Sequence, residues 1–348
     1  MEQYTHTEGL YNTIWQATRE STVPLSCDIE LTARCNQKCL FCFRDTVPQH
    51  SDKIPIHKYK ELLDELKQLG VFSLHITGGE PFLYQGISEF LDYASCKGFN
   101  ITLTTNGTMG NGRELASFLG RNHIYTRVSL HGHNSEIHDS LTGLAGAFDR
   151  TVEFIKSLVS AGAFVAVNTT LCKANIAYVQ EMYDFTKALG VNKFGPGLSL
   201  LGKIGDSGAN DSLRFTETEA MSAALTLKKL GLAPKKKETP YLLCNAGKNS
   251  FTISSEGDIL FCNLMRRVCG NIYNASIADI WKDSAEWREL RQLKMEDLVN
   301  CTSCPHEPYC RRCPAEIYEH TGNFIGNTSA VCDIAKIWHQ VDMASGGK

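Results

Sequence analysis

The sequence predicts an α/β fold: a partial (β/α)6 barrel followed by a cysteine-rich C-terminal domain. Two observations predict it. Apolar strand-like runs alternate with helical stretches six times from Pro24 onward, and the alternation stops where a patterned set of seven cysteines begins, after residue 243. Six β-α repeats imply a parallel sheet with helices outside it. Right-handed crossovers curl such a sheet into an open or partial barrel.

The elements follow in order. Residues 1–23 are polar and mixed and read as an N-terminal extension. The barrel is expected over 24–232. Its strands are Leu25–Leu31, Phe72–Thr77, Asn100–Thr105, Tyr125–Leu130, Phe164–Thr170 and Lys193–Pro196. Helices are expected at Ile56–Leu69, Ile87–Lys97, Arg113–Leu119, Ala147–Ser160, Val179–Leu189 and Glu217–Leu230. The first places Tyr59, Leu62, Leu63, Leu66 and Leu69 on one face at helical spacing. Residues 233–243 hold two prolines and three consecutive lysines and read as a linker; a solvated hinge explains the lysines better than a docking patch. In the last domain, 244–348, Phe251–Ser254 and Asp258–Phe261 read as a hairpin, and Ser276–Trp281 and Ala285–Gln292 as helices.

Bulk properties narrow the function. A length of 348 residues suggests about two domains, and a net charge of −3 disfavours nucleic acid as a partner. The N-terminus lacks the pattern of a signal peptide, and no apolar run approaches the about 20 residues that span a bilayer. A soluble, cytoplasmic protein with no membrane partner is expected. Fourteen cysteines in a reducing compartment point to metal sites.

Cys35, Cys39 and Cys42 form C-x3-C-x2-C just after the first strand. Three thiolates can hold one face of a 4Fe-4S cluster and leave one iron open to a cofactor or substrate. Structural zinc wants four ligands, and no fourth stands nearby at suitable spacing. The next strand ends in Gly78-Gly79-Glu80-Pro81, where glycines let the backbone approach a ligand and a carboxylate can pair with an ammonium. Ligands of parallel α/β folds bind at such strand ends.

Together these motifs resemble the radical S-adenosylmethionine (SAM) superfamily, whose triad carries an aromatic residue where Phe41 stands. The resemblance implies that Phe41 packs on the SAM adenine and that Gly78, Gly79, Glu80 and Pro81 bind its amino group. Thr104-Thr105-Asn106-Gly107 and Ser129-Leu130-His131-Gly132 resemble family motifs at the barrel mouth, where Ser129 would meet the SAM ribose or carboxylate. Asn168 is a further polar contact at the fifth strand end. Many relatives carry Asp where His131 stands, so His131 is either a substrate-specific group or a tolerated replacement. The implied chemistry is reductive cleavage of SAM to a 5′-deoxyadenosyl radical that abstracts a substrate hydrogen.

The later cysteines run Cys244-x12-Gly257-x4-Cys262, then Cys301-x2-Cys304-x5-Cys310-x2-Cys313, then Cys332. Zinc pairs usually enclose a longer loop than the five residues after Cys304. The pattern resembles the SPASM extension of radical SAM enzymes, except that its Cys310–Cys313 gap is one residue short. The resemblance implies one auxiliary 4Fe-4S cluster on Cys301, Cys304, Cys310 and Cys332, and a second on Cys244, Cys262 and Cys313. That second site lacks a ligand. Either a non-cysteine ligand closes it or its iron stands open to substrate; Cys269 swinging in is the third option, but it sits just before the Gly270-Asn271 turn and reads as buried packing. Cys27, Cys96 and Cys172 read as core packing. Arg311 and Arg312 are either counter-charges to the clusters or surface residues.

Three functions compete. Relatives with both domains often mature ribosomally made peptides, by crosslinking, oxidation or decarboxylation. The alternative is a dehydrogenase or epimerase acting on a small molecule such as a sugar, aminoglycoside or tetrapyrrole. It draws on the short stretch before the barrel, where some peptide-modifying relatives carry a recognition domain; a separate recognition protein can fill that role. A purely electron-carrying iron–sulfur protein needs neither a SAM loop nor an open iron. The expected external partner is an electron donor such as flavodoxin or ferredoxin.

Overall fold

The computed structural model describes residues 13–44, 52–110, 112–206, 208–237 and 244–344. Part of the expected N-terminal extension (1–12) and of the expected linker (238–243) lies outside the described residues. The chain forms two compact units, each assembled from separate stretches. One comprises Met1–Arg34, Pro48–Leu103 and Cys244–Leu293; the other comprises Cys35–Val47, Thr104–Leu243 and Lys294–Lys348.

The first unit contains α1 (residues 13–20), β1 (Ser26–Glu30), α2 (Ile56–Gln68), β2 (Ser73–Thr77), α3 (Ile87–Cys96) and all but the last two residues of β3 (Asn100–Thr105). Its later part supplies β7 (Ser250–Ile253), β8 (Asp258–Leu260), β9 (Val268–Asn271), α9 (Ile277–Asp283) and α10 (Ala285–Gln292). β1 pairs in parallel with β2 on one side and with β7 on the other, and β2 pairs in parallel with β3. The expected hairpin is present, as β7 and β8 run antiparallel.

Register separates the two faces of this sheet. Cys27, Leu74, Ile101 and Phe251 align across the strands, as do Ile29, Ile76, Leu103 and Ile253, and all are buried. Asp28, His75, Thr102 and Thr252 align on the opposite face. A fully packed parallel sheet is apolar on both faces; here one face is reserved for polar side chains.

α2 buries Tyr59, Leu62, Leu63 and Leu66 as its spacing predicts, each worth about 1.5–3 kcal/mol of burial by area. Tyr59 meets Tyr84 and Phe90 edge-on at 5.5 and 5.4 Å, and its hydroxyl donates to Leu31 O at 3.2 Å. The helix ends at Gly70, whose φ of +92° suits a residue without Cβ. At the end of β1, Glu30 is fully buried, and its two carboxylate oxygens accept from Arg266 Nη1 at 2.9 and 2.8 Å. α1 docks through Asn249, whose Nδ2 donates to Trp15 O at 3.0 Å and to Thr18 Oγ1 at 3.1 Å. Cys96 departs from the packing expectation: it ends α3 on its solvent side and is exposed, while Cys27 and Cys172 are buried.

The second unit contains α4 (Arg113–Arg121), β4 (Tyr125–Ser129), α5 (Ser135–Thr142), α6 (Ala147–Ser160), β5 (Val165–Thr170), α7 (Val179–Ala188), β6 (Lys193–Gly197) and α8 (Glu217–Lys229). Near the C-terminus it adds α11 (Val299–Thr302), α12 (Pro314–Thr321) and α13 (Ser329–Ala344). β4, β5 and β6 run parallel, so the alternation that predicts a partial (β/α)6 barrel holds through all six repeats. α5 is an addition to the expected set. Asn134 caps it by accepting the Ile137 N–H at 3.0 Å, and Gly143 ends it at φ +65°. α8 and α13 are tied by Lys228–Asp342 at 2.8 Å and Lys336–Glu217 at 3.0 Å.

Candidate active site

In the first unit, the loop after β2 is fastened to the chain after β1. Gly79 N–H donates to Thr32 O and Glu80 N–H to Arg34 O, both at 2.8 Å. The approach leaves no room for a side chain. A Cβ on Gly78 would stand 2.5 Å from Thr32 O, and one on Gly79 would stand 2.1 Å from Arg34 O. Gly78 also holds φ at +144°. Glu80 is fully buried and its carboxylate accepts the Phe82 N–H at 3.2 Å, at the start of a short turn that begins with Pro81. Arg34 is clamped by Asp52 and by Leu83 O, each at 2.5 Å. Arg34 immediately precedes Cys35 in the chain.

In the second unit, Cys35, Cys39 and Cys42 are half-buried. Their loop is held to the end of α5: Lys38 N–H donates to Thr142 O and Leu40 N–H to Leu141 O, both at 2.9 Å. Burial, reinforced by the neighbouring Cys42 and Cys35, pushes the Cys39 thiol up to about 12. Among the described residues, no group of three or more His, Cys, Asp or Glu side chains converges at single-ion distances. A cubane, unlike a single ion, spreads its ligands over several irons. The loop also holds an unmet donor, Gln37 Nε2, which is buried without a hydrogen-bond partner among the described residues. A cluster rich in sulfur acceptors fits that donor, and three thiols fit its ligand set.

Phe41 is buried against Leu141, Cys172 and Leu200. Its ring meets His131 edge-on at 4.6 Å. His131 is 5% exposed, and burial, with His138 beside it, pushes it down to about 3, so it stays neutral. Its Nδ1 accepts the Thr170 N–H at 3.3 Å, and its own backbone N–H donates to His138 Nδ1 at 3.0 Å. Asn106 Nδ2 reaches Cys35 Sγ at 4.0 Å and Asn36 Oδ1 at 2.8 Å. Ser129 and Asn168 are register partners at the ends of β4 and β5, and Gly195 is the next partner along. A Cβ on Gly195 would stand 3.0 Å from Asn168 Oδ1, so the missing side chain keeps this edge open.

The later cysteines fall into separate surroundings. Cys301, Cys304, Cys310 and Cys332 all line one cavity of about 150 Å³ in the second unit. Arg312 lines it too, 4% exposed and donating to Phe324 O and Gly326 O. Burial pushes the Cys310 thiol up to about 11, Lys237 opposing and Cys332 and Cys301 adding to the rise. Four thiols on one cavity wall, with a buried guanidinium to offset their charge, fit a cluster ligand set. Cys313 lines a different cavity of about 350 Å³ with Arg311, Glu316 and Trp338. In the first unit, burial raises the Cys244 thiol, opposed by the Ala246 and Asn245 backbone and by Arg19 of α1. Cys269 is pushed up to about 12 by burial and by Glu286, and its cationic neighbours are Arg267 and Arg291. Sequence reading placed all these cysteines but gave no role to Gln37 or Arg19; their burial is a product of packing.

The family model of the radical SAM superfamily matches residues 29–186, and that of SPASM, an iron–sulfur cluster-binding domain, matches residues 244–314. The chain belongs to the radical SAM superfamily and carries a SPASM domain. The radical SAM–SPASM chain is 29% identical to the antilisterial bacteriocin subtilosin biosynthesis protein AlbA of Bacillus subtilis (strain 168), over 84% of this chain and 68% of AlbA. It is 26% identical to the AdoMet-dependent heme synthase of Methanosarcina barkeri, over 85% of this chain and 93% of that protein. Its fold matches Streptococcus suis SuiB, solved with its precursor peptide SuiA, at a TM-score of 0.70 and 20% identity, covering 93% of this chain and 81% of SuiB. The cofactors of this radical SAM–SPASM protein are 4Fe-4S clusters and SAM.

Proposed function

We propose that this protein abstracts a hydrogen atom from a ribosomally made precursor peptide during its maturation, leading to a crosslink, an oxidation or a decarboxylation. The chemistry is carried by a glycine cradle in one unit that admits no side chain, in a chain that also holds a half-buried three-cysteine loop in the other unit. Cys35, Cys39 and Cys42 would hold the SAM-binding cluster. Phe41, Gly78, Gly79, Glu80, Pro81, Ser129 and Asn168 are the residues proposed to contact SAM, with Glu80 pairing with its ammonium; Asn106, expected from the sequence to join them, has its amide engaged by Asn36, Thr108 and Cys35 instead. When bound, cluster and SAM supply a hydrogen-abstracting radical. Cys301, Cys304, Cys310 and Cys332 would hold one auxiliary cluster, and Cys244, Cys262 and Cys313 would serve the other. An external flavodoxin or ferredoxin supplies the electron. His131 acts as a neutral wall of the site rather than as a general base, since protonation is suppressed by its burial.

The peptide reading is supported by AlbA, named for bacteriocin biosynthesis, and by SuiB, solved with a precursor peptide. A second reading, oxidation of a small molecule such as a tetrapyrrole, is supported by the heme synthase, which is matched over nearly all of its length. The test is anaerobic: reconstituted protein, dithionite and SAM should yield 5′-deoxyadenosine, and absence of the nucleoside overturns the reading. Deuterium transfer into that nucleoside from a perdeuterated precursor peptide encoded beside the gene supports maturation. Transfer only from a tetrapyrrole supports the second reading.

A further inference from the structure

Gln37 lies between Cys35 and Cys39 and is 4% exposed. Its Oε1 lies 3.4 Å from Cys39 Sγ, while its Nε2 has no hydrogen-bond partner among the described residues. A buried donor left unmet costs about 1–3 kcal/mol. The contact to Cys39 works only while that sulfur carries a proton to donate. An iron-bound thiolate has none and only accepts. The Gln37 oxygen would then face an electron-rich sulfur. Turning the carboxamide over exchanges its oxygen and nitrogen within the same shape. That single turn removes the repulsion and gives Nε2 an acceptor.

Asn106 presents a matching group on Cys35, with its orientation already fixed. Its Oδ1 accepts from the Thr108 N–H at 2.9 Å and from the Thr108 hydroxyl at 2.7 Å. Thr108 Oγ1 in turn accepts from Asn36 Nδ2 at 2.8 Å, and Asn36 Oδ1 accepts from Asn106 Nδ2 at 2.8 Å. This closed ring leaves the Asn106 nitrogen, not the oxygen, toward Cys35 Sγ at 4.0 Å.

We propose that Gln37 and Asn106 are positioning residues that donate amide hydrogen bonds to the iron-bound sulfurs of Cys39 and Cys35, and that these bonds raise the reduction potential of that cluster. Hydrogen bonds to ligating sulfurs draw charge off a cluster and favour its more negative, reduced form. The inference rests on the triad holding the SAM-binding cluster, as proposed above.

The experiment is a redox titration of the anaerobically reconstituted full chain, following by EPR the signal that changes when SAM is added. Gln37→Leu and Asn106→Ala should each keep the iron and move the midpoint to more negative potential. Gln37→Glu, which offers only acceptors in the same shape, should move it further than Gln37→Leu. Thr108→Val, which removes one anchor of Asn106, should move it the same way by less. Unchanged midpoints in both Gln37 variants overturn the inference for that residue, and an unchanged Asn106→Ala overturns it for the other. A wild-type measurement decides where a variant fails to fold. With glutamine and asparagine labelled at the side-chain nitrogen with 15N, pulsed EPR should show 15N coupling to the SAM-responsive cluster. Its absence overturns the proposal. A wild-type protein with no SAM-responsive signal instead overturns the assignment of the cluster to the triad.

Discussion

The triad loop and the four-cysteine cavity lie in the same unit and use the same ligand chemistry, yet their surroundings differ in charge. Around Cys35 and Cys39 stand neutral amides: Gln37, Asn36 and Asn106. The cavity of Cys301, Cys304, Cys310 and Cys332 includes the buried cation Arg312, and Lys237 donates to the carbonyl of Cys310. A fixed cation stabilises added negative charge on a cluster more than a neutral dipole does. On the proposed ligation, a triad cluster would then be the lower-potential, electron-giving one and a cavity cluster the electron-accepting one. The contrast also teaches that ligand count alone does not separate the sites; the groups behind the sulfurs do.

The largest expected effect breaks the comparison at its first member. Replacing Cys35, Cys39 and Cys42 together by alanine should abolish 5′-deoxyadenosine formation and remove about four of about twelve irons, three cubanes being expected per chain. Iron analysis and nucleoside assay check both halves. A triple variant that still cleaves SAM would reverse the roles.

The second effect is selective. Cys301→Ala with Cys304→Ala should also remove about four irons, but 5′-deoxyadenosine should still form, while conversion of the substrate is lost. Equal loss of both activities would mean that the cavity cluster supports folding rather than electron acceptance. A smaller effect isolates the charge itself. Arg312→Met keeps most of the side-chain volume and removes the cation, so the cavity cluster should shift to more negative potential while the SAM-responsive signal stays in place. Losing the bonds to Phe324 O and Gly326 O should also lower stability by about 2–3 kcal/mol. EPR titration and a melting curve separate the two consequences.

What the sequence revealed about these sites follows from how local each signal is. The triad, the glycine loop and the cysteine spacings are written within a few residues, and the six β-α repeats are strongly periodic. α13 is absent from the expected elements, although it too was legible in principle: Ile334, Ala335, Ile337, Trp338 and Val341 recur at helical spacing, with Lys336 and His339 on the opposite face, and α13 packs on α8. α5 was legible in principle from its Asn134 cap and terminal Gly143. Arg311 and Arg312 are indistinguishable as neighbours in sequence. Only burial separates them, Arg312 turning inward to the four cysteines and Arg311 remaining exposed. The same holds for Gln37, since no local pattern tells which end of a buried amide faces a sulfur.

The smallest effect tests the neutrality of the ground behind the triad. In the unfolded chain His131 and His138 titrate near 6.5; in the fold, burial holds His131 down at about 3 and His138 at about 4, with Asp139 opposing the latter shift. Between those values the unfolded state binds more protons than the folded one. Stability is therefore complete above pH about 6.5 and falls as the pH drops, by at most about 1.4 kcal/mol per pH unit for each histidine. His138→Asn keeps an acceptor for the His131 N–H and removes one titrating group. Urea unfolding midpoints between pH 7.5 and 5.5 should decline less steeply in this variant than in the wild type. Parallel declines would show that a charged histidine is accommodated behind Phe41. The contrast between a neutral triad environment and a cationic cavity would then fail on its first side.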